Sequence, residues 1–312
     1  MRIVASPPLL IVLGPTGSGK SELAHQVALL RGGEIVSADA FAVYRGMDIG
    51  TAKPSAEQRR EVVYHLIDVA SPSDFFSAGR WAREAREAVD DIHRRGRLPI
   101  VCGGSGFYLE ALLEGLPPGG AVDAGLRSAL TAWAKVHPEA AHRFLEVNDP
   151  ISAGRIPPAN LRYTLRALEI LLETGTRASD RARTGAGWTA RWRMIKVGLR
   201  PSADQLYATI ARRVRQMLNA GWDLEVRRLL EAGAARESNA FQAIGYREVA
   251  DWVAGLADRS ETEEKIVTAT RQLAKKQRTW FARERDVLWV TPDRALGAAL
   301  DRLDEGDTEK SG

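Results

Sequence analysis

Short apolar runs punctuate the chain at Leu9–Leu13, Glu34–Ser37, His65–Val69, Leu98–Cys102, Met194–Leu199 and Val287–Val290. Runs of this length, without the alternation of a half-exposed strand, predict buried parallel strands. Between the early ones lie helical patterns, Lys20–Leu30 and Gly79–Arg95. In the second, Trp81, Ala85, Val89 and Ile92 recur at helical spacing against a charged face. Strands alternating with helices predict parallel βαβ units with right-handed crossovers, a doubly wound α/β core.

The alternation stops after Leu116. Pro117, Pro118, Gly119 and Gly120 form a breaker cluster. From Asp123 to about Thr174 the pattern is helical only, with Gly175 placed as a C-cap. A polar segment, Thr176–Ala190, leads back to the strand-like Trp192–Leu199. Residues 117–190 therefore read as a helical insertion in a catalytic core made of 1–116 and 191–312. Beyond Pro201 the core continues as long amphipathic helices, Ala203–Ala220 and Glu261–Arg285 among them, and Asp304–Gly312 reads as a polar, frayed end.

Composition narrows the setting. The hydrophobic fraction of 45% is that of an ordinary soluble globular protein. Cys102 is the only cysteine, which excludes an internal disulfide and a structural zinc finger and fits a reducing, cytoplasmic setting. Leu9–Leu13 is too short to span a bilayer, so no membrane association is expected. Net charge is only +4, but it is unevenly spread. Arg155–Arg200 holds ten Lys/Arg against three Asp/Glu, and Lys265–Arg285 seven against one. Two basic blocks on an otherwise acidic chain, with Trp188, Trp192, Trp280 and Phe281 close by, point to a nucleic-acid surface. Either block alone would pass for solvated helix faces.

The clearest chemical signal is Gly14-Pro15-Thr16-Gly17-Ser18-Gly19-Lys20-Ser21, a full match to G-x-x-x-x-G-K-[ST] that follows an apolar strand and opens a helix. Gly17 and Gly19 free the backbone to turn successive N–H groups toward phosphate oxygens, and the helix N-terminus adds positive potential. Lys20 can bridge outer phosphates, and the Ser21 hydroxyl suits Mg²⁺. The motif specifies a phosphate ligand and is silent on chemistry. No strand ending in Asp, of the kind nucleotide hydrolases use for the metal, appears near Leu98–Cys102, which runs into Gly103-Gly104-Ser105-Gly106. Glu34–Ser37 instead delivers Asp39 at its carboxyl end, where α/β enzymes place their sites. Asp39 could be a metal ligand, a general base or a helix cap. Gly103–Gly106 permits close approach of a substrate or is a plain strand-to-helix turn. His65 reads as a packed or capping histidine.

These motifs together with Val43–Pro54 (VYRGMDIGTAKP), His65–Asp68, Gly103–Tyr108, Arg166–Glu169, Ile244–Glu248, Ala274–Gln277 and Trp280-Phe281 resemble the tRNA dimethylallyltransferases, or isopentenyltransferases, over nearly the whole chain and in the right order. Val43–Pro54 is far more specific than the P-loop. The resemblance implies a P-loop fold with a helical insertion domain and C-terminal helices. It also implies transfer of a dimethylallyl group from dimethylallyl diphosphate to N6 of the adenosine just 3′ of the tRNA anticodon. The P-loop then holds the donor's diphosphate and not ATP, Asp39 acts as base on the adenine amine, and Lys20 and Ser105 complete the catalytic set. Arg213 matches a family arginine and becomes a further phosphate contact; Ser21 holds Mg²⁺. Contacts to the anticodon stem-loop fall to Asp39, Ala40, Phe41, Ala42, Arg162, Arg166, Gly245, Tyr246, Arg247, Arg271, Lys275, Lys276 and Gln277. A monomer is the default.

The chain departs from the family in places. Asp39-Ala40-Phe41-Ala42 stands where Asp-Ser-x-Gln is usual, so Ala42 lacks an amide for the adenine edge. Ser105 replaces a threonine, Tyr163 an arginine, and Tyr64 the first of two histidines. Competing readings are a prenyltransferase acting on AMP or ADP, a P-loop phosphotransferase, and an RNA-binding module without catalysis.

Overall fold

The computed structural model of the chain describes residues 6–116, 123–180 and 186–305. The Pro117–Gly120 cluster, part of the Thr176–Ala190 segment and the tail beyond residue 305 lie outside the described residues. Two compact units emerge: Met1–Leu113 with Trp188–Gly312, and Glu114–Gly187.

The first unit opens with β1 (Pro8–Leu13), α1 (Lys20–Arg31), β2 (Gly33–Ser37), α2 (Ala56–Glu61), β3 (Tyr64–His65), α3 (Ala78–Arg94), β4 (Leu98–Gly103) and α4 (Gly106–Leu113). The second holds α5 (Ala124–Val136), α6 (Pro138–Asn148), α7 (Pro150–Arg155) and α8 (Leu161–Thr174). The chain then forms the short α9 (Ala186–Thr189) and, back in the first unit, β5 (Arg193–Leu199), α10 (Ala203–Asn219), α11 (Trp222–Glu231), α12 (Tyr246–Val253), α13 (Arg259–Phe281), β6 (Val287–Val290) and α14 (Ala295–Asp304). Among the described residues, no helix is long and apolar enough to cross a membrane.

The strands form one parallel six-stranded sheet in the order β3-β2-β4-β1-β5-β6. β1 pairs with β4 on one side (Leu10 opposite Ile100) and β5 on the other (Leu10 opposite Ile195). Leu9 to Leu13 are fully buried, which is why they read as a continuous apolar run: both faces of the strand are covered. One face packs against Leu23, Val27, Ala295 and Ala299 of α1 and α14. On α3 the four positions at helical spacing, Trp81, Ala85, Val89 and Ile92, are all wholly buried, and the Trp81 indole donates to the Ser37 carbonyl at 2.9 Å.

One predicted strand is cut short. His65–Val69 was expected to be extended, but pairing ends at His65. Leu66 and Asp68 take left-handed backbone angles (φ 60° and 58°), which no strand accommodates. Asp68 is turned to meet Lys53 and Arg59 instead, at 2.5 and 2.7 Å. His65 behaves as a packed histidine: its Nε2 lies 2.7 Å from the buried Glu34 carboxylate, which Arg95 also clamps.

In the second unit, local chemistry sets the helix ends. Asp123 caps α5 through the Leu126 N–H, α6 and α7 each start with proline, and Gly175 ends α8 at φ 66°. Its small core is built from Ala134, Ala141, Leu145 and Leu168.

Candidate active site

In a parallel sheet every strand delivers its carboxyl end to the same edge. Three loops therefore converge in the first unit: the P-loop after β1, the Asp39 turn after β2 and the Gly103–Gly106 loop after β4. They border a cavity of about 410 Å³, within the ~300–1,000 Å³ usual for small-ligand sites. Thr16, Gly17, Lys20 and Ser21 line it from the P-loop, Asp39, Phe41 and Ala42 from the turn, and Gly103 and Gly104 from the third loop. Its farther wall is largely apolar, with Ile210, Val214, Met217, Trp222 and Ile266.

The P-loop takes its shape from its own glycines. Gly17 and Gly19 sit at φ 78° and 90°, and Ser18 closes the turn by donating to the Pro15 carbonyl at 3.2 Å. The Lys20 ammonium reaches Pro15 O at 3.2 Å. Burial lowers its pKa, Cys102 and Asp39 draw it back up, and the Arg213 guanidinium adds to the lowering. Arg213, on α10, is likewise pulled down by burial and supported by Asp39. It has no hydrogen bond or ion pair among the described residues. Two desolvated cations facing one cavity suit an anionic ligand. Cys102 lies beneath; burial pushes its thiol up to about 11, so it is neutral and inert.

Asp39 caps no helix. Its Oδ1 accepts from the N–H groups of Phe41 (2.8 Å) and Ala42 (3.1 Å), closing a turn. Oδ2 is without a hydrogen bond among the described residues. Ser105 holds the turn from the other side: its hydroxyl accepts from the Ala40 N–H at 3.2 Å, and its own N–H donates to Ala38 O. Ser105 is thus tied to the backbone on both sides of Asp39. Ser21 is exposed on the cavity wall. No cluster of three or more His, Cys, Asp or Glu able to hold a metal occurs among the described residues. The exposed Ser21 hydroxyl on the cavity fits a cation that takes its other ligands from a bound anion and water.

The RNA-facing expectations divide sharply. Arg162, Arg247, Arg271, Lys275 and Lys276 are exposed. Arg166 leans on Glu169, which also pairs with Arg127. Ala40 and Phe41 are half-buried and Ala42 is buried on the cavity wall. Gly245 and Tyr246, by contrast, are structural. Tyr246 is wholly buried with its hydroxyl on Glu225 at 2.7 Å, and Gly245 lies against the Trp222 ring, where no side chain fits. Gln277 is turned inward, its amide spent on Thr16 N–H (2.8 Å) and Gly104 O (2.9 Å). The aromatic part of the nucleic-acid signal also needs correction. Trp188, Trp192 and Phe281 are core residues, and Trp188 Nε1 donates to Asp90. Arg191, Arg193 and Lys196, counted in the first basic block, are used for internal ties.

Sequence reasoning missed Glu225 and Trp222. The buried Glu225 carboxylate accepts from the N–H groups of Asp48 (2.8 Å), Ile49 (2.7 Å) and Gly50 (3.3 Å). Trp222 is sandwiched by Gly50 and Gly245, each lacking the Cβ that would strike it. One signal was available: Glu225 falls on the apolar stripe Trp222, Val226, Leu229, where a charge is out of pattern.

Comparison with known proteins agrees with this geometry. The family model described as IPP transferase matches residues 42–284. The chain belongs to the tRNA dimethylallyltransferase family, and it is a prenyltransferase. It is 43% identical to the tRNA dimethylallyltransferase of Thermomicrobium roseum, over 96% of this chain and 94% of that one. It is 41% identical to tRNA dimethylallyltransferase 1 of Syntrophotalea carbinolica, with 96% and 95% covered. Among solved structures, it resembles the tRNA isopentenylpyrophosphate transferase of Bacillus halodurans at TM-score 0.69 and 34% identity, covering 98% and 99%. It also resembles a eukaryotic dimethylallyltransferase described as acting on tRNA, at TM-score 0.77 and 25% identity, covering 98% of this chain and 78% of that one.

Proposed function

We propose that this prenyltransferase moves a dimethylallyl group from dimethylallyl diphosphate to N6 of the adenosine just 3′ of the anticodon in tRNA, in the cytoplasm. The observation that carries the reading is the convergence of the P-loop, with Lys20 and an unpartnered Arg213, on one cavity with the free oxygen of Asp39. The relatives' names supply the donor and the class of acceptor.

The adenine N6 attacks the carbon that bears the diphosphate. That carbon–oxygen bond breaks as the carbon–nitrogen bond forms, and the electron pair leaves on the diphosphate. An exocyclic amine is a weak nucleophile, so Asp39 Oδ2 takes its proton as the bond forms. P-loop N–H groups, Lys20 and Arg213 hold the diphosphate as its charge grows, in a place built before the reaction begins. Mg²⁺, seated on Ser21, would neutralise part of that charge. The apolar wall from Ile210 to Ile266 suits the prenyl chain. The adenine leaves its stack to enter the cavity. The exposed arginines and lysines of α8 and α13, with Arg247, supply phosphate contacts, so binding is strongly salt-dependent.

The test uses purified protein, Mg²⁺, labelled dimethylallyl diphosphate and unmodified tRNA, with AMP and ATP in parallel. Label in tRNA without ATP consumption is the expected result. Asp39→Ala lowers transfer by about 10²–10⁴-fold while tRNA binding persists. Label in AMP alone, or full activity in Asp39→Ala, would overturn the reading or the base assignment respectively.

A further inference from the structure

We infer that Gln277 is a positioning residue: its amide fixes the P-loop against the loop that holds the Asp39 turn, and so sets the leaving group in register with the base. The inference rests on the prenyl-transfer reading above.

A primary amide accepts at one end and donates at the other. Gln277 uses both ends on backbone. Its Oε1 takes the Thr16 N–H at 2.8 Å and its Nε2 gives to Gly104 O at 2.9 Å. Thr16 lies inside the P-loop, so this N–H is spent on a protein acceptor and is withdrawn from the phosphate cradle. Gly104 precedes Ser105, and Ser105 holds both neighbours of Asp39 through Ala38 O and Ala40 N. A continuous set of hydrogen bonds therefore runs from the P-loop through Gln277 to the turn of the base. The clamp is anchored well: Ala274 is fully buried, and Trp280 packs over Gly106, where a Cβ would collide with the indole.

Position 277 sits among exposed basic residues on α13, so its sequence context alone suggests an RNA contact. The geometry assigns a different task. A group that binds RNA changes the KM for tRNA, and a group that shapes the phosphate cradle changes affinity for diphosphate. A group that only sets the relative position of two loops changes kcat.

Gln277→Met keeps the length and removes both hydrogen bonds; Gln277→Glu keeps the acceptor for Thr16 but sets an oxygen against Gly104 O. The expected result for Gln277→Met is a kcat lower by about 10- to 100-fold, with KM for tRNA and donor and the Kd of inorganic diphosphate within about threefold of wild type. Hydrogen exchange at the Thr16 amide should quicken in Gln277→Met and stay slow in Gln277→Glu, with kcat depressed in both. A wild-type kcat in Gln277→Met would overturn the inference. So would a raised KM for tRNA at unchanged kcat, or diphosphate affinity lost in step with kcat. Wild-type protein that transfers no label fails the prenyl-transfer reading and the inference with it. The Thr16 exchange rate reports separately on whether the clamp exists in solution.

Discussion

The P-loop and the Tyr44–Pro54 run border one cavity and are held by opposite means. The P-loop is shaped from within, by glycines at positive φ and a turn between Pro15 and Ser18. It has to leave N–H groups unpaired for an anion, so apart from the Thr16 N–H held by Gln277 its shape comes from local conformation. The Tyr44–Pro54 run is held from outside. Lys53, its side chain 1% exposed, spans Tyr44 O, Asp48 and Asp68. Glu225, more than a hundred positions away, collects three successive N–H groups, and Asn239 reaches the Tyr44 hydroxyl at 2.8 Å. This segment shapes a wall, so its polar groups are satisfied by the protein itself. A ligand loop is kept short of partners, and a wall loop is saturated with them.

Mutations on the two sides should therefore separate activity from stability. The largest effect is expected at Lys20→Met, with a loss of about 10²–10³ in kcat/KM for the donor. The charge is already costly in the free protein, since burial lowers the Lys20 pKa, so the urea midpoint should hold or rise. A marked loss of stability in Lys20→Met would break the contrast. Glu225→Ala should act in reverse. It strands three N–H groups and the Tyr246 hydroxyl, costing about 3 kcal/mol by urea unfolding. If its midpoint matched wild type while activity vanished, the wall segment would belong with the P-loop.

The smallest effect concerns acid. Burial pushes the Asp68 carboxyl up, but hydrogen bonds from Lys53 and Arg59 outweigh it and hold the group below its usual 3.8. A carboxyl lowered on folding adds stability that is present above its unfolded value and lost as pH falls through the folded one. Wild type should therefore lose stability below about pH 4 more steeply than Asp68→Asn, by at most about one proton's worth of slope. Equal slopes in urea titrations from pH 3 to 6 would remove Asp68 from the wall's support.

Much of this was legible in the residues. Five of the six apolar runs became strands of one sheet and the sixth supplied only His65 to it, Gly175 ended α8, and the Gly14–Ser21 motif sits at the cavity. The failures have a common cause. His65–Val69 broke off because Asp68 answers to Lys53 and Arg59. Trp188, Trp192 and Phe281 pack where their neighbouring charges suggested a surface. Gly245 and Tyr246 are buried against Trp222 and Glu225, and Gln277 faces inward from a basic helix. Each misreading assigned a side chain from its neighbours in sequence, when its surroundings were set by segments far along the chain.

Sequence by itself determined what short-range physics controls: buried parallel strands from apolar runs, helices from their period, caps, and a phosphate loop from glycine spacing. The tertiary structure alone decided what faces what. The parallel sheet brings the ends of β1, β2 and β4 to one edge, so Lys20 and Asp39 line one cavity and Ser105 bonds the Ala40 N–H beside Asp39, a grouping no spacing reveals. Gln277 joins two glycine loops, and Glu225 holds the wall, because a buried polar group must find a partner wherever the fold offers one.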